Sequence, residues 1–140
     1  MARASTRTQP STRTHAVGHM AKAEEFLEAA QDALLNSHTN AAFSMAVHAG
    51  VQASDVICSV KLEKRSSSAN HADAVDLLGS IPGPEKTLAQ KLKRLLSNKT
   101  KAEYDAEPVS AAHAKEAVLN AERLVERARS VLEGANPRIK

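Results

Sequence analysis

Apolar residues recur every three or four positions along three long segments of this 140-residue sequence. These segments run from about Val17 to Leu35, from about Asn40 to Lys64, and from Ser110 to about Glu133. This spacing places apolar side chains along one face of an α-helix. No segment alternates apolar and polar residues as a half-buried strand does, so we expect an all-α fold.

Two shorter helices are predicted between the second and third long ones. The first covers about His71 to Leu78, and the second runs from about Pro84, a residue suited to the first helical position, to Ser97. Short polar or Gly/Pro-rich connections separate the helices. About five helices joined in this way favour an up-and-down helical bundle over residues 17–134.

The two ends of the chain lack apolar periodicity. Residues 1–16 are rich in Thr, Ser and Arg, so we expect a disordered basic tail there and a flexible C-terminus over residues 135–140. Arg3, Arg7 and Arg13 lie in the first 18 residues, which hold no acid, and they account for the net charge of +3. The predicted bundle is therefore neutral overall.

Small residues four positions apart form a ridge on the second long helix: Ala42, Ala46, Gly50 and Ser54. A ridge of small side chains lets another helix approach closely. We expect this ridge to pack against a neighbouring helix or against a second copy of the chain.

Composition excludes several classes of protein. Cys58 is the only cysteine, so an intramolecular disulfide is impossible, and no apolar run approaches the length of a membrane span. No phosphate-cradling glycine loop, nucleophile elbow or His/Cys cluster is present. We therefore expect a cytoplasmic protein with no metal, no cofactor and no membrane contact.

Basic residues are concentrated late in the second helix and in the segment 85–101. If the fold brings these segments together, they form a surface that attracts phosphate groups. The candidates for binding RNA or a nucleotide are Lys61, Lys64, Lys91, Arg94, Lys99 and Lys101. The alternative interpretation is a solvated helix surface.

Arg65 and His71 lie six residues apart in a polar connection. A histidine can move a proton on or off a ribose oxygen while an arginine stabilises the charge on phosphorus. These two residues are therefore candidate catalytic groups of a metal-independent ribonuclease. An ordinary loop between two helices is the competing interpretation.

Three segments, in this order, resemble the HEPN family of small helical domains found in prokaryotic defence and toxin–antitoxin systems. The first is the pair KAEEFLEAAQDAL and NAAFSMAVHAGVQASDVICSVKL, which is similar to the opening helix pair of the family. The second is HADAVDLL, and the third is LLSNKTKAEYD, which precedes the last long helix.

The resemblance implies a helical bundle that forms a homodimer, associates with RNA or nucleotides, and in some members has a nucleotidyltransferase-type protein partner. Active members have an arginine and a histidine four to six residues apart near the start of the last long helix. Residues 99–104 read KTKAEY and contain no histidine. The sequence therefore predicts a non-catalytic, binding member, with a ribonuclease using Arg65 and His71 or a structural adaptor as alternatives.

Overall fold

The computed structural model describes residues 7–67, 71–97 and 106–134, and within these ranges it confirms an all-α helical bundle. Five helices lie in these ranges: α1 (Arg13–Leu35), α2 (Thr39–Leu62), α3 (Ala72–Gly79), α4 (Pro84–Ser97) and α5 (Ala111–Gly134). Two three-residue strands, β1 (Thr8–Pro10) and β2 (Lys64–Ser66), accompany them.

Helix α2 is the central element of the bundle. It contacts each of the other four helices, and more than half of its residues are buried. Two hydrogen bonds show that α1 is antiparallel to α5. Gln31 donates to Glu122, and Arg129, further along α5, donates to Glu24, which comes earlier in α1. The N-terminal end of α1 therefore lies beside the C-terminal ends of α2 and α5.

The predicted ridge of small residues is buried within the chain itself. Ala42 and Ala46 have no exposed surface, and Ser54 is buried as well. A Cβ atom on Gly50 would lie 2.7 Å from a methyl carbon of Leu95 on α4 and 3.3 Å from one of Leu124 on α5. The ridge is thus a helix-packing surface on which α4 and α5 lie close to α2, and the chain's own helices cover it.

Local residue chemistry explains several helix ends. The hydroxyl oxygen of Ser110 accepts a hydrogen bond from the His113 N–H at 3.1 Å and caps α5, as predicted. Gly83 adopts a φ of +99°, which favours glycine, and Pro84 begins α4. Helix α2 differs from the prediction, because neither Thr39 nor Asn40 caps it. The Asn40 side chain accepts the Val109 N–H instead, at 2.8 Å.

The predicted disordered tail through residue 16 differs from the structure over residues 7–16. Strand β1 pairs with β2 in antiparallel register, with Thr8 opposite Ser66 and Pro10 opposite Lys64. The buried Ser11 hydroxyl bonds to that of Ser59 at 2.6 Å. Tertiary hydrogen bonds order the polar residues of this segment, and Ala16 at its end is buried in the core. Residues 1–6 and the predicted flexible segment 135–140 lie outside the described residues.

Helix α1 also begins four residues earlier than predicted, at Arg13 rather than Val17. The cause is a reciprocal capping arrangement, in which the Thr12 hydroxyl accepts the His15 N–H and His15 Nδ1 accepts the Thr12 N–H at 3.0 Å. None of the helices in the described ranges combines the length and the apolar character that crossing a membrane requires.

Candidate functional site: a polar cleft at the N-terminus of helix α1

A cleft of about 340 Å³ opens between the first turns of α1 and the two-stranded ribbon. We call it the polar cleft. Its lining residues come from β1, from one side of α1 and from β2: Gln9, Pro10, Thr14, His15, Gly18, His19, Lys22 and Arg65. The cleft is large enough for a small ligand such as a nucleotide.

The lining of the polar cleft is cationic. Lys22 and Arg65 carry positive charge, and His15 and His19 can acquire it. No carboxylate is among the lining residues. The first turn of α1 also contributes Thr14 and His15, and the N-terminal end of a helix carries a partial positive charge. The site therefore combines several features that attract an anion.

Gly18 leaves the middle of this α1 surface open. A Cβ atom at this position would meet no atom within 4 Å, and Gly18 does not adopt a positive φ. Neither packing nor backbone conformation therefore requires glycine here, although glycine in a helix interior costs about 1 kcal/mol relative to alanine. The α1 side of the polar cleft is therefore open to solvent at Gly18.

The two histidines have different hydrogen-bond arrangements. His15 Nδ1 accepts the Thr12 N–H, so the neutral ring carries its hydrogen on Nε2. His19 Nδ1 lies 2.7 Å from the side-chain amide oxygen Oε1 of Gln52 and donates to it, which leaves Nε2 as an acceptor in the neutral ring. Neutral His15 therefore offers a donor, and neutral His19 offers an acceptor.

A buried carboxylate lies next to the cleft without lining it. Asp55 on α2 is only 7% exposed, and its Oδ2 atom is 3.9 Å from Arg65 Nη1 and 4.0 Å from His19 Nδ1. Burial raises the pKa of Asp55 to about 6, although the nearby Arg65 acts in the opposite direction. The pKa of His19 is lowered, first by burial and then by the charge of Arg65.

Arg65 uses little of its hydrogen-bonding capacity. Its Nη1 atom lies 3.5 Å from the Ser66 carbonyl oxygen, and the same nitrogen is the one closest to Asp55. A guanidinium has five N–H donors, and the hydrogen bond described for Arg65 uses one of them. Lys22 is exposed and forms no ion pair with any residue in the described ranges. Both cations are thus available to a ligand.

The predicted catalytic pair is not the pair that the polar cleft brings together. His71 lies immediately before α3, where its carbonyl oxygen accepts the Ala74 and Val75 N–H groups, and it does not line the cleft. Arg65 does line the cleft, and the histidines that share it are His15 and His19.

The predicted basic residues lie in separate places. Lys91 lines a second cleft of about 420 Å³ between α4 and α5, and Arg94 pairs with Glu116 on α5 at 3.3 Å. Lys61 lies in the last turn of α2 and Lys64 begins β2. Both are exposed, and neither lines the polar cleft or the α4–α5 cleft. Lys99 and Lys101 lie outside the described residues.

Sequence reasoning missed His15, His19, Lys22 and Asp55. The signal for the histidines is their spacing of four residues, which places both on one side of a helix. Assigning His15 to a disordered tail concealed that spacing. Asp55 carries no comparable signal, because a single acid on an apolar helix does not reveal which residues of other elements lie beside it.

In the described ranges, no three His, Cys, Asp or Glu side chains are close enough together to form a metal site. Comparison with protein-family models, with curated proteins and with solved structures finds no match to this chain.

Proposed function

We propose that this chain is a non-catalytic, HEPN-like helical domain that binds a nucleotide or RNA through a phosphate group in the polar cleft. The observation that carries the proposal is the presence of Lys22 and Arg65 in one cleft whose lining contains no carboxylate. His15 adds a neutral N–H donor, and the N-terminal end of α1 adds a partial positive charge.

The test is calorimetric titration with a nucleoside monophosphate and with a short single-stranded RNA. Replacing Lys22 by Ala or Arg65 by Gln removes one charge from the cleft, and each is expected to weaken binding about tenfold, the equivalent of one charge-assisted hydrogen bond. The matched control is Lys93→Ala, which removes the same charge from an exposed position on α4. Affinity should also fall steeply as the salt concentration rises.

Two results would contradict this proposal. One is the absence of binding for both ligands at low salt. The other is an equal loss of affinity in Lys93→Ala and Lys22→Ala, which would indicate a diffuse charge effect and an adaptor role for the bundle.

The proposal includes self-association and a protein partner, which rest on the family resemblance. A homodimer has twice the 14.9 kDa mass of the chain, so light scattering distinguishes it directly from a monomer. Association with a nucleotidyltransferase-type protein is tested by mixing the two purified proteins. A strict monomer would remove the dimer from the proposal without affecting the polar cleft.

Metal-independent RNA cleavage is a second candidate function. The specific observation in its favour is that Arg65 shares a cleft with two histidines, of which neutral His15 offers a donor and neutral His19 an acceptor. General acid–base cleavage needs one group in each role. Cleavage of RNA in EDTA that is lost in His15→Ala and His19→Ala but retained in His71→Ala would favour this candidate. Loss only in His71→Ala would favour the pair predicted from sequence.

A further inference from the structure

Asp55 and an anion in the polar cleft would interact with the same two side chains. The carboxylate lies within 4.0 Å of Arg65 on β2 and of His19 on α1, and both of these residues line the cleft. The distances of 3.9 and 4.0 Å are longer than a hydrogen bond. Asp55 therefore acts on these groups through its charge and does not hold Arg65 in a close ion pair.

We propose that Asp55 is an internal competitor of the ligand, so that the polar cleft takes up an anion together with a proton. The inference rests on the proposed function, because it concerns the regulation of the same site. When Asp55 is ionised, its charge offsets that of Arg65 and weakens the attraction for a second anion. When Asp55 is protonated, the charge of Arg65 is fully available to the ligand.

The charged groups facing Asp55 and His19 are cationic and oppose their protonation, so an anion that offsets these charges favours proton uptake at both residues. Arg65 faces both residues from β2, Lys22 and His15 face His19 from α1, and Gln52 faces it from α2. A negative ligand disfavours an ionised Asp55 and favours a protonated His19. Because the pKa of Asp55 is about 6, its proton uptake takes place at pH values at which most proteins remain folded.

The ligand for the test is a dinucleoside monophosphate, because its phosphodiester keeps one charge between pH 5.5 and pH 8. At constant ionic strength, the affinity of the unmodified chain should rise about tenfold or more as the pH falls across this range, because each proton taken up contributes a factor of up to about ten per pH unit. Asp55→Asn should bind about tenfold more tightly than the unmodified chain at pH 8. Its remaining pH dependence should be smaller and should come from His19.

The matched control is Asp32→Asn, which removes the same charge from an exposed position on α1. Calorimetry of the unmodified chain in two buffers of different ionisation enthalpy gives the number of protons taken up at pH 6.5, and this measurement does not depend on any variant folding. The inference is supported if the unmodified chain takes up a proton on binding and Asp55→Asn takes up measurably less.

The failures of the two proposals are distinguishable. Binding with no proton uptake, or with the same pH dependence in Asp55→Asn and Asp32→Asn, overturns the role of Asp55 and leaves the phosphate site in place. Absence of binding at every pH overturns the phosphate site, and the role of Asp55 with it.

Discussion

Two buried carboxylates in this Ala- and Leu-rich core are held in different ways. Glu85 on α4 is 1% exposed, and its Oε2 atom accepts a hydrogen bond from Arg127 Nε at 2.6 Å. Asp55 is buried almost as deeply, but among the described residues its nearest cation, Arg65, is 3.9 Å away. The close pair holds α4 against α5, whereas the looser arrangement leaves Arg65 available to a ligand.

Breaking the Glu85–Arg127 pair should be costly because it leaves a charge buried without its partner. We expect Arg127→Met, which keeps an apolar side chain of similar length, to lower the free energy of unfolding by about 3–5 kcal/mol. Urea denaturation measures this change. The control is Arg94→Met, which breaks the exposed Arg94–Glu116 pair and should cost less than about 1 kcal/mol. Equal losses in the two variants would contradict the assignment of Glu85–Arg127 as the stabilising pair.

At the scale of the elements, periodic features were predictable and brief ones were not. Small residues occur at four successive positions of the ridge along α2, and this repetition predicted close helix packing. Leu95 of α4 and Leu124 of α5 pack there against Gly50. Strand β1 has only three residues, too few to establish an alternating pattern. Its pairing with β2 depends on contacts between distant parts of the chain.

The start of α1 shows how a local rule can be missed. A capping box normally places Ser or Thr three residues before Glu or Gln. Here Thr12 is followed three positions later by His15, whose ring nitrogen takes the role of the carboxylate or amide oxygen. The motif was present in the sequence in an unusual form. His15 lines the polar cleft. Because a histidine stands where a capping box usually has Glu or Gln, neither the start of α1 nor this part of the cleft was predicted.

The capping arrangement predicts the effect of changing Thr12. Thr12→Ala should lower the free energy of unfolding by about 1 kcal/mol, since it removes the oxygen that accepts the His15 N–H. Thr12→Ser keeps that oxygen and should unfold at nearly the same urea concentration as the unmodified chain. Thr12 is exposed, so neither variant disturbs the core. A loss of the same size in both variants would show that the threonine methyl group, and not the cap, stabilises this end of α1.

At the scale of the whole molecule, the two clefts share one end of the bundle. Burial raises the pKa of the Cys58 thiol to about 12, and the charges of Asp55, beside the polar cleft, and Glu85, on the α4 helix of the α4–α5 cleft, add to this effect. Both buried carboxylates therefore act on the same buried thiol. Within the described ranges, the buried carboxylates Asp55 and Glu85 and the two clefts all lie at this end of the bundle.

This concentration of charge gives the stability of the molecule a specific dependence on pH. The pKa of Asp55 is about 6 in the folded chain, above its ordinary value of 3.8, so the folded state binds its proton more tightly than the unfolded state does. The resulting penalty is absent below about pH 4, grows as the pH rises through the interval between the two values, and is complete above pH 6. His19 has the opposite effect on the free energy of unfolding. Because its pKa is lowered in the folded chain, its protonation at low pH destabilises the fold.

Asp55→Asn separates the two contributions, because it removes the carboxylate and leaves His19 in place. We expect this variant to exceed the unmodified chain in free energy of unfolding by about 3 kcal/mol at pH 8, the equivalent of a shift of about two pKa units. The difference should shrink towards zero as the pH approaches 4. Urea denaturation at a series of pH values measures it, with the exposed Asp32→Asn as the control that should show no such trend. A difference that stays constant with pH would mean that Asp55 remains ionised throughout, and that its charge is matched in the fold more closely than the distances to Arg65 and His19 indicate.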